Sequence, residues 1–398
     1  MPAAADQDSG DKQQTGAASN LLPALSLPKG GGAIRGIGEK IGANPVTGAA
    51  SFTIPIFASP GRSDFYPKLS LSYDSGAGNG PFGLGWNLSV LSITRKTDKG
   101  LPRYDDVGES DVFILSETED LVPKLVSNSR TKETFAAQRN GSNYTVQRYR
   151  PRIEGLFARI ERWRNDATGE TFWKTISKDN QTSLFGLDSN SCIADPNDPG
   201  RIFKWLLAET YDDKGNVIVY SYKPENRDNV PATLPESSHD SRANRYLKQI
   251  SYGSATPYYP DDNQPVPVPL PTDWFFQLVF DYGEHDLAVP RPTEDRLWPV
   301  RQDSFSTYRS TFEIRTHRLC RRVLMFHDFA ELGATPCLVR STNLTYSEAP
   351  SLSFVSPWLL RRRRARIPWI RDGRTTGYRV ILQIFRPRTL YRTTRGGR

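Results

Sequence analysis

Residues 73–89 read YDSGAGNGPFGLGWNLS and contain five glycines. Within this stretch Gly78–Gly83 is a literal G-x-G-x-x-G, the fingerprint of a dinucleotide-binding loop. A loop of that kind lies between a strand and a helix, because the free N–H groups at the helix N-terminus hold the pyrophosphate. Here Pro81 interrupts the motif, and residues 84–90 alternate apolar and polar side chains with the period of a strand. The sequence therefore predicts a bend between two strands and no cofactor site.

The residues before the bend support the same interpretation. Lys68–Tyr73 (KLSLSY) alternates strictly and places Leu69, Leu71 and Tyr73 on one face of a half-buried strand. Glycines suit a tight connection between strands, because they adopt positive φ and admit close backbone contacts. We expect Trp86 to pack beneath this bend.

Alternation with period 2 recurs along most of the chain, between clusters of Pro, Gly, Asn and Asp. It is found at Tyr144–Arg148, Leu156–Trp163, Val217–Tyr222, Tyr246–Tyr252 and Phe276–Tyr282. Helical periodicity is nearly absent, and Arg318–Leu332 is the one stretch for which a helix is a candidate. These patterns predict an all-β fold that is mostly antiparallel.

Two connections carry turn signals. Tyr211–Asn216 (YDDKGN), followed by a strand at Val217–Tyr222, predicts a hairpin. The same hairpin is similar to the Tyr-Asp repeat of Rhs proteins, in which such hairpins spiral into large shells. The proline-dense stretch Pro257–Pro271 is either a rigid connector or a polyproline ligand for an SH3- or WW-type partner. The absence of basic residues around it favours the connector.

The composition is that of a globular protein made in a reducing cytosol. The 398 residues are 37% hydrophobic, with 30 glycines, which allows a sizeable core. Three cysteines, Cys192, Cys320 and Cys337, do not form a disulfide framework. No stretch approaches the roughly 18 consecutive apolar residues of a membrane helix, and the polar start lacks the features of a Sec signal peptide. We predict a disordered leader over residues 1–30 and a β domain over residues 31–355.

The net charge of +8 is concentrated at one end. Residues 356–398 hold thirteen Arg, one Asp and neither Lys nor Glu, so this tail carries +12 and the rest carries −4. The run Arg361–Arg366 could bind nucleic acid or an anionic membrane. The tail also loses both lysine and strand alternation, as a shift of reading frame would cause. We therefore predict an aberrant tail and no nucleic-acid partner.

The residues that could carry chemistry do not form a recognisable catalytic set. The four histidines are His239, His285, His317 and His327. His317, Cys320, His327 and Cys337 can be written as a zinc set, but the paired spacings that preorganise structural zinc sites are missing. The carboxylate pairs Asp105/Asp106, Asp212/Asp213 and Asp261/Asp262 fall in predicted turns, which favours turn capping over acid–base catalysis. The prediction is a non-enzymatic protein without catalytic, cofactor-binding or metal-binding residues.

Several motifs, in order along the chain, resemble one family. They are Ser26–Lys40 (SLPKGGGAIRGIGEK), Ala43–Gly48 (ANPVTG), Ser59–Ser63 (SPGRS), the strand and glycine stretch at Leu69–Ser89, Ile93–Thr97 (ITRKT), Asp111–Leu115 (DVFIL) and Tyr308–Phe329 with RLCRRVLMFH. On these residues the chain is similar to the SpvB-type N-terminal domain over about residues 26–355. That family includes the B components of insecticidal toxin complexes and the Salmonella plasmid virulence protein.

The resemblance implies a function. In toxin-complex B components it implies a β-rich segment of a hollow shell, which forms with an Rhs-type C component, encloses a toxic C-terminal segment and docks on a channel-forming A component. In the Salmonella protein the domain precedes an ADP-ribosyltransferase domain, to which nothing in this chain corresponds. Because B components are several times longer, we interpret the chain as a truncated shell segment with unpaired sheet edges. The resemblance also implies action outside the cell, whereas the composition predicts synthesis in the cytoplasm and no membrane insertion by this chain.

Overall fold

The protein is built almost entirely from β-strands. A computed structural model describes residues 40–43, 50–106, 108–116, 119–153, 158–333, 336–348, 355–358 and 382–385. Helical structure in this part of the chain is confined to the α-turn α1 (Leu234–Ser237) and to 3-10 turns at Arg62–Asp64, Ser189–Ser191 and Ala330–Leu332. No helix among these residues is long and apolar enough to cross a bilayer.

The strands range from 3 to 14 residues in length and are joined by turns and loops. In chain order they are β1 (Lys40–Ala43), β2 (Ala50–Ile56), β3 (Leu69–Asp74), β4 (Trp86–Leu88), β5 (Ser92–Arg95), β6 (Phe113–Leu115), β7 (Glu119–Pro123), β8 (Thr134–Arg139), β9 (Ser142–Pro151), β10 (Arg159–Asn165), β11 (Thr171–Ile176), β12 (Thr182–Phe185), β13 (Cys192–Asp195), β14 (Asp198–Tyr211), β15 (Val217–Pro224), β16 (Arg245–Ser254), β17 (Trp274–Asp281), β18 (Phe305–Thr307), β19 (Ile314–Thr316), β20 (Arg322–His327), β21 (Cys337–Glu348), β22 (Val355–Trp358) and β23 (Leu382–Phe385). Every pairing between them is antiparallel.

Eight strands form a closed ring. Following the hydrogen-bonded neighbours, the ring runs β5–β6–β7–β9–β10–β11–β12–β14 and returns to β5. The closing pair joins Ser92–Thr94 of β5 to Lys204–Leu206 of β14. Closure removes the unpaired edges that an open sheet would present. We call these eight strands the ring.

The interior of the ring is filled by aromatic side chains. Trp173 and Trp205 are fully buried, and Phe113 lies against both, with ring centroids 5.0 and 5.7 Å away. The indole N–H of Trp205 donates to the main-chain oxygen of Thr171 at 3.0 Å. The edges of some aromatic side chains lie against the faces of others, an arrangement that adds to the hydrophobic gain from burial. The ring is therefore a packed core.

A second sheet grows from the ring. Strand β14 also pairs with β15, and β16, β17, β20 and β21 follow in order; we call β14–β15–β16–β17–β20–β21 the large sheet. The small sheet, β1–β2–β3–β4, packs on one face of it. The shared core includes Ile54, Leu71 and Trp86 from the small sheet and Ile250 and Phe280 from the large one.

The fold agrees with most of the sequence expectations. All five stretches named for period-2 alternation contain or overlap strands, β9, β10, β15, β16 and β17, and the all-β prediction is confirmed. The helix considered over Arg318–Leu332 is wrong, since this stretch contains strand β20 and a 3-10 turn. The leader 1–30 and the arginine run at residues 361–366 lie outside the described residues.

The two predicted connections are where the sequence placed them. The β14–β15 hairpin is held by the Asp212 carboxylate, which accepts from the N–H groups of Lys214 and Asn216 at 2.9 Å, and Gly215 has a φ of +80°. The prolines of residues 257–271 connect β16 to β17. Asn140 donates its N–H to the oxygen of Asp262 in this connector at 3.1 Å, which ties it to the β8–β9 turn.

Candidate functional site

The glycine stretch forms a bend between β3 and β4. Gly83 and Gly85 have φ of +94° and +79°, values that glycine adopts without strain. The chain returns on itself, so that Asp74 N–H donates to Gly85 O at 2.9 Å and Gly85 N–H donates to Gly78 O at 3.0 Å. Strand β4 follows, and the helix that a dinucleotide loop requires is not formed at this position. Trp86 is buried beneath the bend, as expected.

Distant residues hold this bend in place. Arg301 is buried, and its guanidinium donates to Gly80 O at 2.8 Å and to the Asn79 side-chain oxygen at 2.9 Å. The same guanidinium makes a bidentate pair with Asp303, at 2.7 and 2.9 Å. Cys320 N–H donates to Pro81 O at 2.8 Å. We call this set of contacts the Arg301 latch.

The four residues considered as zinc ligands, His317, Cys320, His327 and Cys337, make separate contacts. The His317 ring nitrogen Nδ1 lies 3.1 Å from Ser304 Oγ, and His327 Nε2 lies 2.7 Å from Ser59 Oγ. Cys320 is buried, and burial raises the pKa of its thiol. His327 and Cys337 are opposite each other on β20 and β21, but the four side chains do not converge on one point that could hold an ion.

Ser304, His317 and Glu236 lie next to one another in the order of a serine–histidine–carboxylate catalytic triad. Besides its contact with Ser304, His317 has its Nε2 atom 3.7 Å from a carboxylate oxygen of Glu236. Burial and the neighbouring Arg315 lower the pKa of His317 to about 4. A general base works best with a pKa near the operating pH, and the Ser304 hydroxyl donates instead to Arg301 O at 3.2 Å. The contacts are those of a structural histidine.

The predicted turn carboxylates divide into two groups. The first members, Asp105, Asp212 and Asp261, accept from main-chain N–H groups in turns. Of the second members, Asp106 pairs with Arg95 and Arg162 at one end of the ring, and Asp262 pairs with Arg139 and Lys174. The third, Asp213, accepts from the side-chain amide of Asn180 at 3.3 Å. Burial alone would raise the pKa of Asp106, but Arg95 and Arg162 together hold it below its usual value. Turn capping therefore accounts for the first aspartate of each pair, whereas Asp106 and Asp262 join neighbouring elements.

A buried polar cluster lies where β17 ends, and the sequence prediction did not include it. Lys248, Asp281, Glu284 and His285 form it, and we call it the Lys248 cluster. The Lys248 ammonium donates to Glu284 Oε1, lies 2.8 Å from His285 Nε2 and lies 3.2 Å from Phe280 O. Glu284 and His285 are fully buried, and Asp281 is 1% exposed. Burial lowers the pKa of Lys248 to about 8.

Part of this cluster could have been found in the sequence. Asp281 lies near the end of the predicted strand Phe276–Tyr282, and Glu284 and His285 follow that strand, so the three residues fall within five positions of one another. Their ligand atoms all lie within 4.8 Å of one another, the one such group of three among the described residues. Lys248 comes from another strand, and the register of β15 and β16 shifts at this residue. No local sequence pattern therefore predicts that Lys248 belongs to the cluster.

A family model and curated relatives of this chain all carry the name SpvB. The family model for the Salmonella virulence plasmid 65kDa B protein, SpvB, matches residues 44–329. The mono(ADP-ribosyl)transferase SpvB of Salmonella choleraesuis (strain SC-B67) is 39% identical over 345 residues, which are 84% of this chain and 56% of that protein. The protein of the same name from Salmonella typhimurium (strain 14028s / SGSC 2262) is 40% identical over 345 residues, with the same coverage. The chain thus spans about half the length of these curated relatives.

Solved structures are similar to this chain in fold as well as in sequence. The N-terminal domain of effector protein SpvB from Salmonella typhimurium strain LT2 is similar with a TM-score of 0.68 at 39% identity, over 77% of this chain and 96% of that domain. The TcdB2–TccC3 complex has a TM-score of 0.71 at 37% identity, over 82% of this chain and 16% of that one. The Photorhabdus luminescens Tc holotoxin pore has a TM-score of 0.72 at 35% identity, over 84% and 16%.

Proposed function

The chain belongs to the SpvB family, and from that premise we propose that it is a non-enzymatic structural domain of a toxin or virulence protein. In this proposal it contributes β-strands to a shell that encloses a toxic polypeptide and delivers it. The observation that carries the proposal is the likeness to TcdB2–TccC3, in which this fold makes up 16% of a much longer chain. The closed, filled ring supports it, since the ring gives a rigid wall element with few free edges.

The absence of catalysis is part of the proposal. Relatives are named mono(ADP-ribosyl)transferases, but this chain spans 56% of their length and corresponds to 96% of the solved N-terminal domain. We therefore assign the transferase activity of such proteins to the part outside this match. An ADP-ribosylation assay with the isolated chain is expected to give no product above the buffer control.

The partners follow from the same likeness. We propose that the chain acts with an Rhs-type C component and a channel-forming A component, outside the cell that makes it. TcdB2–TccC3 and the Tc holotoxin are the solved assemblies that support this assignment.

A chimera tests the shell role. Residues 44–329 replace the matching segment of TcdB2, and the chimera is assembled with TccC3. If the segment is a shell wall, the C-terminal region of TccC3 should resist protease as it does in the parent complex. A chimera carrying Trp173→Ala, which empties the centre of the ring, is the matched control and should lose that protection. An intact chimera that binds TccC3 but leaves this region as protease-sensitive as free TccC3 would contradict the proposal.

The arginine-rich tail supports a second candidate function. Residues 356–398 carry a charge of +12, which would favour binding to nucleic acid or to an anionic membrane. Deleting residues 356–398 separates the candidates. A binding protein should lose a salt-dependent affinity for DNA or for anionic vesicles, whereas a shell domain should keep its fold and show no such loss.

A further inference from the structure

The Lys248 cluster has the donor set of a metal site with an amino group at its centre. We propose that the ammonium of Lys248 occupies the place of a divalent metal ion, and that Glu284, His285 and the oxygen of Phe280 would ligate such an ion if Lys248 were absent. This inference is independent of the proposed shell function.

The contacts of the ammonium define the site. Lys248 donates to a carboxylate oxygen of Glu284 and reaches the imidazole nitrogen of His285 at 2.8 Å and Phe280 O at 3.2 Å. One nitrogen, one carboxylate oxygen and one carbonyl oxygen thus surround a single positive charge. This is also the donor set with which proteins bind first-row divalent ions.

The ligand atoms are positioned by hydrogen bonds to other residues as well as by Lys248. The His285 Nδ1 atom lies 2.8 Å from Arg291 O, a contact in which the ring must donate, so its Nε2 lone pair faces the cluster. An imidazole oriented by a carbonyl in this way is the arrangement found around protein-bound metals. The second carboxylate oxygen of Glu284 accepts from Tyr282 N–H at 2.7 Å. Removing Lys248 should therefore leave the donors in place.

Asp281 lies beside the site but has other partners. One of its carboxylate oxygens accepts from Arg322 Nε, and the other accepts from Gly283 N–H at 2.7 Å. The nearby Glu294 is 3.8 Å from the Lys248 amino group and 2.6 Å from that of Lys223. Arg322 and Lys223 therefore balance Asp281 and Glu294, and Glu284 is the carboxylate that Lys248 neutralises. The donor set, and not an excess of acidic charge, is what favours an ion in place of the ammonium.

A change of register explains how Lys248 reaches the site. In the β15–β16 pairing, Ser221 lies opposite Gln249 and Tyr222 lies opposite Leu247, so Lys248 is an extra residue without a partner on β15. An extra residue of this kind redirects a side chain relative to its neighbours. The strand thus delivers the amino group to the cluster.

Cobalt titration of tag-free protein tests the proposal. Lys248→Ala in the 398-residue chain should bind one equivalent of Co²⁺, with visible d–d absorption, at least tenfold more tightly than the wild type. Lys248→Gln, which is larger and uncharged, is a second variant in case the alanine protein does not fold. Lys223→Ala removes a neighbouring lysine as the matched control and should not differ from the wild type. Lys248→Ala/His285→Ala should lose the gain.

Two results would overturn the inference. The first is a folded Lys248→Ala or Lys248→Gln protein, checked by circular dichroism, that binds Co²⁺ no better than the wild type. The second is a gain in Co²⁺ binding that persists when His285 is also replaced. Thermal unfolding with and without Zn²⁺ gives an independent readout, since a bound ion should raise the midpoint of the variant only.

Discussion

The guanidinium of Arg301 donates a hydrogen bond of 2.8 Å to the main-chain oxygen of Gly80, which precedes it by 221 residues. The same side chain forms a bidentate pair with Asp303. A bend that looks self-contained in the sequence is therefore positioned by a loop much later in the chain. The glycine stretch is thus held by the connection between β17 and β18, which carries Arg301.

The Arg301 latch should be needed for stability. Arg301→Met removes the donor to Gly80 O and the bidentate partner of Asp303, which is itself buried. Removing one side of a buried ion pair costs about 3–5 kcal/mol, so the free energy of unfolding should fall by that order. Urea unfolding of Arg309→Met, in which an exposed arginine is lost, is the control and should change by less than about 0.5 kcal/mol. Equal effects of the two substitutions would show that the latch is dispensable.

Gly85 should tolerate no side chain. Its φ is +79°, and a Cβ atom there would lie 2.5 Å from a ring carbon of Tyr73 and 2.9 Å from Asp74 O. Gly85→Ala should lower the free energy of unfolding by more than the roughly 1–2 kcal/mol of a left-handed conformation alone. At Gly78 an added Cβ meets nothing within 4 Å. Thermal unfolding of Gly78→Ala should thus match the wild type, and a similar loss in both variants would refute this account of the bend.

The centre of the ring should be sensitive to truncation. Trp173 is fully buried and contacts Phe113 and Tyr149, with ring centroids 5.0 and 4.9 Å away. Trp173→Ala removes these contacts and leaves a cavity, at an expected cost of about 3–5 kcal/mol in the free energy of unfolding. The control is Leu234→Ala, because Leu234 is 88% exposed. Chemical denaturation that gives a loss below about 1 kcal/mol for Trp173→Ala would mean that the ring collapses around the gap or contributes little.

His317 should make stability depend on mildly acidic pH. Burial and Arg315 lower its pKa from 6.5 to about 4, so the folded protein keeps this ring neutral where the unfolded chain takes up a proton. Stability from this group is therefore complete above pH 6.5 and is lost as the pH falls towards 4. Unfolding by urea across this range should show a shallower pH dependence for His317→Gln than for the wild type. An unchanged slope would mean that His317 titrates alike in both states.

The sequence predicts strands well where one face of a strand is exposed. The alternation of Lys68–Tyr73 is visible because β3 has a buried and a less buried face. The failure at Arg318–Leu332 has the opposite cause: Val323, Leu324, Met325 and Phe326 are all buried, since β20 is covered on both faces. A strand of that kind reads as a continuous apolar run, which periodicity cannot distinguish from a buried helix.

Features that depend on long-range register are not visible in one sequence. The ring closes by pairing Ser92–Thr94 with Lys204–Leu206, and nothing local to either segment specifies the other. The Lys248 cluster likewise needs an extra residue in β16 and a loop that folds back after β17. Turn chemistry is the exception, since the cap that Asp212 makes depends only on residues close to it.

Strand β14 belongs to the ring and to the large sheet at once. Its residue Glu209 lies opposite Leu184 of β12 on one side and Val219 of β15 on the other. A hinge between the two parts would have to break main-chain hydrogen bonds along this shared strand. A rotation of the large sheet would therefore rotate the ring with it, and the two should move as one rigid body.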